Sequence, residues 1–178
     1  MADPVSACEH ARAFCEIPGL APAIISAGGF LLSSAIAVVA IFRNQVISRR
    51  RATVDMVLHQ KSDSQLQDHI DKFNELRSNS KNMPLSAYAG DDHKGTAESK
   101  AILAVLNNYE FIASGVFQNA FDFELYKRMQ YGVVVDRWDS LESFVKDIRK
   151  SRNHPTLFQE FEKLACKFKV KPLGHYKK

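Results

Sequence analysis

The stretch SKAILAVLNNYEFIASGVFQN, residues 99–119, decides the fold class. Ile102, Leu106, Tyr109, Ala113 and Val116 recur at alternating four- and three-residue steps, which puts them on one face of an α-helix, and Leu103 and Phe117 widen that face. Thr96, followed by Glu98 and Ser99, supplies a start signal. This is the most apolar part of the chain outside its N-terminal third, and it reads as the central core helix.

Downstream, FDFELYKRMQYG predicts a short helix from Asp122 ended by Gly132, although its aromatic content also admits a strand. The triplet Val133 to Val135 is β-prone but too short for a sheet. Trp138, Leu141, Phe144 or Val145, and Ile148 then fall at helical spacing, with Asp136 or Asp139 as the cap. Asn153 to Pro155 turns the chain into a last amphipathic helix carrying Leu157, Phe161 and Leu164. Upstream, residues 78–95 are rich in Ser, Asn, Gly and Asp around Pro84 and predict a long exposed loop. Before that loop, Ser62 and Asp63 mark a break and a cap for SDSQLQDHIDKFNELR. Its narrow stripe of Leu66, Ile70 and Phe73 is suited to packing on the domain or on another copy of the chain.

Further upstream, Leu20 to Phe42, LAPAIISAGGFLLSSAIAVVAIF, contains no charge and is followed by Arg43 and by Arg49, Arg50 and Arg51. At about 1.5 Å per residue such a helix spans a hydrocarbon core of about 30 Å, so the run predicts a single transmembrane helix. A cleaved signal peptide would need a basic n-region and a shorter apolar run. The segment before the run carries Asp3, Glu9 and Glu16 against Arg12, so the positive-inside rule puts the N-terminus outside and the C-terminal part in the cytoplasm, at a bacterial inner membrane. The expected organisation is an external N-terminus over 1–19, a transmembrane helix over 20–42, a juxtamembrane helical linker over 43–77, the loop over 78–95, a helical cytoplasmic domain over 96–170 and a basic tail over 171–178. The fold class is all-α.

The formal charge of +4 is unevenly placed. Acids slightly outnumber bases between residues 62 and 150, whereas the excess of base lies in the juxtamembrane arginines and in the lysines after Glu162. Arg49, Arg50, Arg51, Lys169 and Lys171 are therefore candidates for contact with anionic lipid headgroups, the alternative being a solvated end. Nucleic acid is not expected, because no helix-turn-helix, zinc-finger or RNP pattern occurs. Gly29, Ser33 and Ala37, four residues apart, leave one side of the anchor small and are candidates for self-association. Cys8 and Cys15 fall in the external segment, as a disulfide or as two unpaired thiols, and Cys166 on the reducing side.

Chemistry is sparse. No Walker loop, GxGxxG, GxSxG or HExxH is present and no Cys clusters with His, so neither a cofactor nor a metal is expected. The one polar constellation is on the central helix, where Asn107, Glu110 and Ser114 lie beside the apolar face. A carboxylate there is costly unless paired, and Arg149 or Arg137 is the expected partner. Asn107, Glu110 and Arg149 thus form either a hydrogen-bonded clamp between helices or a polar site with Glu110 as acid or base.

Several motifs together carry a resemblance. N-x-x-E-F-I-A-x-G from Asn107 to Gly115, D-x-E-x-Y from Asp122 to Tyr126, V-V-x-D-x-W up to Trp138, F-x-x-x-x-R from Phe144 to Arg149 and F-x-x-F-E-x-L-A from Phe158 to Ala165 resemble a bacterial and phage family of small membrane-anchored domains of unknown function, numbered 4760. The resemblance covers roughly residues 20–170 and implies a helical cytoplasmic domain behind one transmembrane helix, with no accepted activity, substrate or cofactor. The expected function is a membrane-tethered interaction module that binds a protein partner or forms a homo-oligomer, with a phage or mobile-element connection. The alternatives are an accessory subunit of a larger inner-membrane complex and an enzyme using Glu110.

Overall fold

The computed structural model describes residues 20–174, and from residue 33 onward their side chains. The described residues are all helical apart from turns. The chain falls into two compact units that divide between Val46 and Ile47.

Helix α1, Leu20–Ser62, runs through both units. In the first unit, its side chains from Ser33 to Gln45 are exposed, with Ile36, Val39, Ile41 and Phe42 each more than half accessible. Among the described residues no helix is long and apolar enough to cross a membrane. The expected span over 20–42 lies, as far as residue 32, outside the residues whose side chains are described.

The second unit is a bundle around one core. The last turns of α1 contribute Val57, which is buried, and Thr53, which is fully inaccessible. Helix α2, Ser64–Ser78, starts where Asp63 accepts a hydrogen bond from the Leu66 amide at 3.1 Å, so the expected break and cap are both present. Its stripe packs inside the unit: Phe73 is fully buried and Ile70 lies against the core. Residues 47–77 are therefore part of the folded domain and not a linker, because Val57, Phe73 and Leu76 complete its core.

The expected exposed loop over 78–95 differs from the structure in the same way. It holds two short 3-10 segments, Leu85–Ala89 and Asp91–His93, and the first packs on the 29-residue helix Phe123–Ser151. Leu85 is buried, Tyr88 and Ala89 sit against the core, and the Tyr88 and His93 rings meet edge to face at 5.1 Å. One turn of apolar residues outweighs the polar composition around it.

Helix α3, Ala97–Phe117, is capped by Thr96, whose hydroxyl accepts from the Ser99 amide at 3.2 Å. Its expected face is buried at every position, and it touches α2, α4 and α5, which makes it the centre of the bundle. The turn after α3 is set by Gly115. The Phe121 ring lies where a Cβ on Gly115 would be, 2.4 Å from the nearest ring carbon, while the Ala120 and Phe121 amides both donate to the Gly115 carbonyl.

Helix α4, Phe123–Ser151, begins where a helix was expected, and Asp122 caps it by accepting from the Leu125 amide at 2.8 Å. It does not stop at Gly132 and does not restart at Asp136 or Asp139. One glycine costs a helix interior only about 1 kcal/mol. Val134, Trp138, Leu141, Phe144, Val145 and Ile148 are all buried on the same continuous helix. Burial of that face outweighs both the glycine and the β preference of Val133 to Val135.

Helix α5, Gln159–Val170, closes the bundle with Phe161, Leu164, Ala165 and Phe168 buried. The Phe161 ring stacks on Tyr109 at 4.9 Å and meets Trp138 edge on at 5.2 Å, tying α5 to α3 and α4 at once.

Candidate functional site

The polar constellation on α3 resolves into a contact that the residue pattern did not specify. The residue before α5, Phe158, is left-handed at φ 58° and buried, so it offers no side-chain oxygen to the first amides of the helix. Glu110 supplies one from α3. Its Oε1 accepts from the Glu160 amide at 3.2 Å and its Oε2 from the Phe161 amide at 2.8 Å. A carboxylate fifty residues away thus does the work of an N-cap and meets the positive end of the helix dipole.

Arg149 reaches the same turn from α4. Its Nε donates to the Leu157 carbonyl at 2.8 Å, and its Nη2 lies 2.8 Å from Glu162 Oε2, close enough for an ion pair though misaligned for a hydrogen bond. Glu110 and Arg149 therefore hold the same turn through different groups and are not each other's partner. Arg137, the other expected partner, bonds Asn74 at 2.6 Å and lies over the Phe73 ring at 4.8 Å. Asn107 is exposed and makes no side-chain hydrogen bond among the described residues, so it stands outside the clamp.

A second polar contact joins α1 to the start of α4 within the domain. The buried Thr53 hydroxyl donates to the Arg49 carbonyl and accepts from the Asp122 amide, both at 2.8 Å. Arg50 pairs with Asp122 at 3.3 Å. Of the candidate lipid contacts, Arg50 is thus engaged by Asp122 and Lys169 by Asp139, whose hydrogen bond raises the Lys169 pKa. Arg49 is half-buried, and Arg51 and Lys171 are exposed. On the anchor, Ser33 and Ala37 are exposed, and the surroundings of Gly29, like Cys8 and Cys15, lie outside the described residues. Cys166 is an exposed free thiol, and no group of three potential metal ligands occurs among the described residues.

Two aromatic hydroxyls are enclosed. Burial pushes the Tyr109 and Tyr126 pKa values up, Tyr126 far above its usual range, with Arg137 partly opposing the shift at Tyr109. The Tyr126 hydroxyl has no hydrogen-bond partner among the described residues.

The residue that the pattern should have flagged is Lys127. It is four residues from Phe123 and from Tyr131, both of which pack on Phe168 of α5, so it occupies a place in the inward stripe of α4. Only 3% of it is exposed. It lines a mainly apolar cavity of about 420 Å³ with Phe123 and Glu124 of α4 and with Cys166, Lys167, Val170 and Lys171 at the end of α5. The Lys167 ammonium lies over the Phe117 and Phe123 rings at 5.0 and 5.8 Å. A smaller cavity of about 260 Å³ lies between the 3-10 segments and α4, lined among others by Tyr88, Ser99 and Arg152.

Residues 26–168 match the model of a family described as a domain of unknown function, DUF4760. The chain belongs to the DUF4760 family. Its helices α2 to α5, apart from the last two residues of α5, lie inside the matched span together with most of α1, so Glu110, Arg149 and Lys127 are all residues of the DUF4760 domain. No curated protein and no solved structure matches the chain.

Proposed function

We propose that this DUF4760 protein is a membrane-tethered helical interaction module, anchored by residues 20–42 in a bacterial inner membrane with the folded domain in the cytoplasm. The observation that carries the reading is the contrast along α1. Its charge-free N-terminal part leaves Ile36, Val39, Ile41 and Phe42 exposed, and the arginines follow immediately. Large apolar side chains in such a run are satisfied by lipid or by another apolar helix. On the domain, Phe111 of α3 is 67% exposed and gives a partner protein or a second copy an aromatic to grip. Both oxygens of Glu110 are engaged by backbone amides, and Glu110 lines neither cavity, which favours a structural clamp over an acid or base. A phage or mobile-element role and self-association through Gly29, Ser33 and Ala37 belong to the same reading.

The test is membrane fractionation with a topology reporter. The protein should resist alkaline carbonate extraction, and a reporter fused after Lys178 should be active only in its cytoplasmic form. Release of the chain by carbonate, or a reporter active only outside, would refute the tether or its orientation.

A further inference from the structure

The cavity between the first turns of α4 and the last turns of α5 is not needed for the clamp and is not explained by the tether. Its wall joins two chemistries. Phe123, Val170 and Cys166 give an apolar surface, and Lys127, Lys167 and Lys171 set three basic residues against one acidic residue, Glu124. Lys127 decides the matter. An ammonium on an inward stripe is costly to bury, and lysines so placed are usually paired or extended to water. Only 3% of Lys127 is exposed and no acid or acceptor is paired with it among the described residues, yet its ammonium is not among the fully enclosed unpartnered atoms, so the stem is buried and the charged head reaches the solvent of the cavity. Lysines at a helix C-terminus are common for dipole reasons, which accounts for Lys167 and Lys171 but not for a lysine in the second turn of α4.

We propose that this cavity binds a single-chain anionic amphiphile. Its acidic head, a carboxylate or a phosphate, sits on the Lys127 ammonium flanked by Lys167 and Lys171, and its apolar body lies along Phe123, Val170 and the Cys166 side chain. About 420 Å³ falls in the ordinary range for small-molecule sites and takes a chain of modest length. Glu124 and the negative end of α5 oppose the head, so both halves of the molecule are needed for binding. The head and chain can come from a free fatty acid or from a single-chain anionic lipid. The inference does not depend on the tether.

Cys166 reports occupancy because it lines the cavity and is exposed. The full chain in phosphatidylcholine nanodiscs is alkylated with iodoacetamide, and the Cys166 peptide is followed by mass spectrometry. Octanoate or octyl phosphate should slow its modification saturably, by about tenfold when the amphiphile stands at about ten times its Kd. Octanol, which lacks the charge, and inorganic phosphate, which lacks the chain, should leave the rate unchanged. Lys127→Met should abolish protection, and Lys127→Arg, which keeps the charge, should retain most of it. Protection by nanodiscs doped with lysophosphatidylglycerol, a single-chain anionic lipid, without added amphiphile would identify a membrane lipid as the source; protection only on adding octanoate or octyl phosphate would identify a free one. Equal protection by octanol, undiminished protection in Lys127→Met, or no protection by either anionic amphiphile would overturn the proposal.

Discussion

The apolar residues of α1 before Val46 and those of α3 are comparably abundant and meet opposite fates. In α3 they recur with the helical period and eight of them are buried. In residues 33–42 they are interrupted by small residues and not by charged ones, and every one is exposed. Periodicity distinguishes a helix that lies against protein on one side from one whose apolar side chains are exposed all round. Apolar content alone does not.

The sharpest way to break this comparison uses one residue type in both regions. Phe161→Ala removes a ring enclosed by Tyr109 and Trp138 and should cost about 3–5 kcal/mol in urea unfolding of the full chain. Phe42→Ala should leave domain stability unchanged within about 0.5 kcal/mol, because that side chain is 63% exposed. A large loss at Phe42 would mean that the domain leans on the segment before Val46.

Gly115→Ala should cost about 1–3 kcal/mol, since the Phe121 ring must leave its seat to admit the Cβ. Thermal unfolding checks it, and a neutral result would show that the α3–α4 turn is soft. Glu110→Gln keeps one acceptor and loses the charge, and should cost about 1–2 kcal/mol. The loss should be accompanied by faster hydrogen exchange at the Glu160 and Phe161 amides. Unchanged exchange and stability would dispose of the clamp and reopen acid or base chemistry for Glu110.

Tyr126→Phe removes a buried hydroxyl with no partner and should be neutral or stabilising by up to about 1 kcal/mol. It also has a pH signature. Tyr126 has a raised pKa in the folded chain, so the folded state favours its neutral form. Its contribution is fully present below pH 10 and is lost above it as the unfolded chain ionises first. The alkaline fall in stability should therefore be shallower in Tyr126→Phe, with Tyr109 responsible for part of what is left. The smallest effect is expected at Gly132, where an added Cβ meets nothing within 4 Å: Gly132→Ala should stabilise the domain by about 0.5–1 kcal/mol. A destabilised variant would mean that α4 needs its glycine.

Much of the fold was legible because the signals were local. Asp63, Thr96 and Asp122 stand at the three helix starts that were expected, and each caps its helix through its own side chain and an amide three residues on. The buried face of α3 was readable for the same reason. Local signals also misled. Gly132 reads as a stop, and the polar composition of residues 78–95 reads as an exposed loop, yet burial of Val134 and Trp138 in one case and Leu85 in the other overrides them. Lys127 was within reach of the pattern, since it stands between Phe123 and Tyr131 at helical spacing, but it becomes conspicuous only once α4 is continuous from Asp122.

By itself the sequence determined the all-helical class, the starts of three helices, the inward face of α3 and the charge-free run with its following arginines, because caps, periods and runs are properties of neighbours along the chain. The tertiary structure decided which polar groups meet. The partner of Glu110 is a pair of backbone amides, and Lys127 is enclosed by residues of α5, a helix that starts thirty-two residues later. Backbone amides carry no mark in a sequence, and burial is set by what packs opposite, so neither fact exists until the helices are assembled.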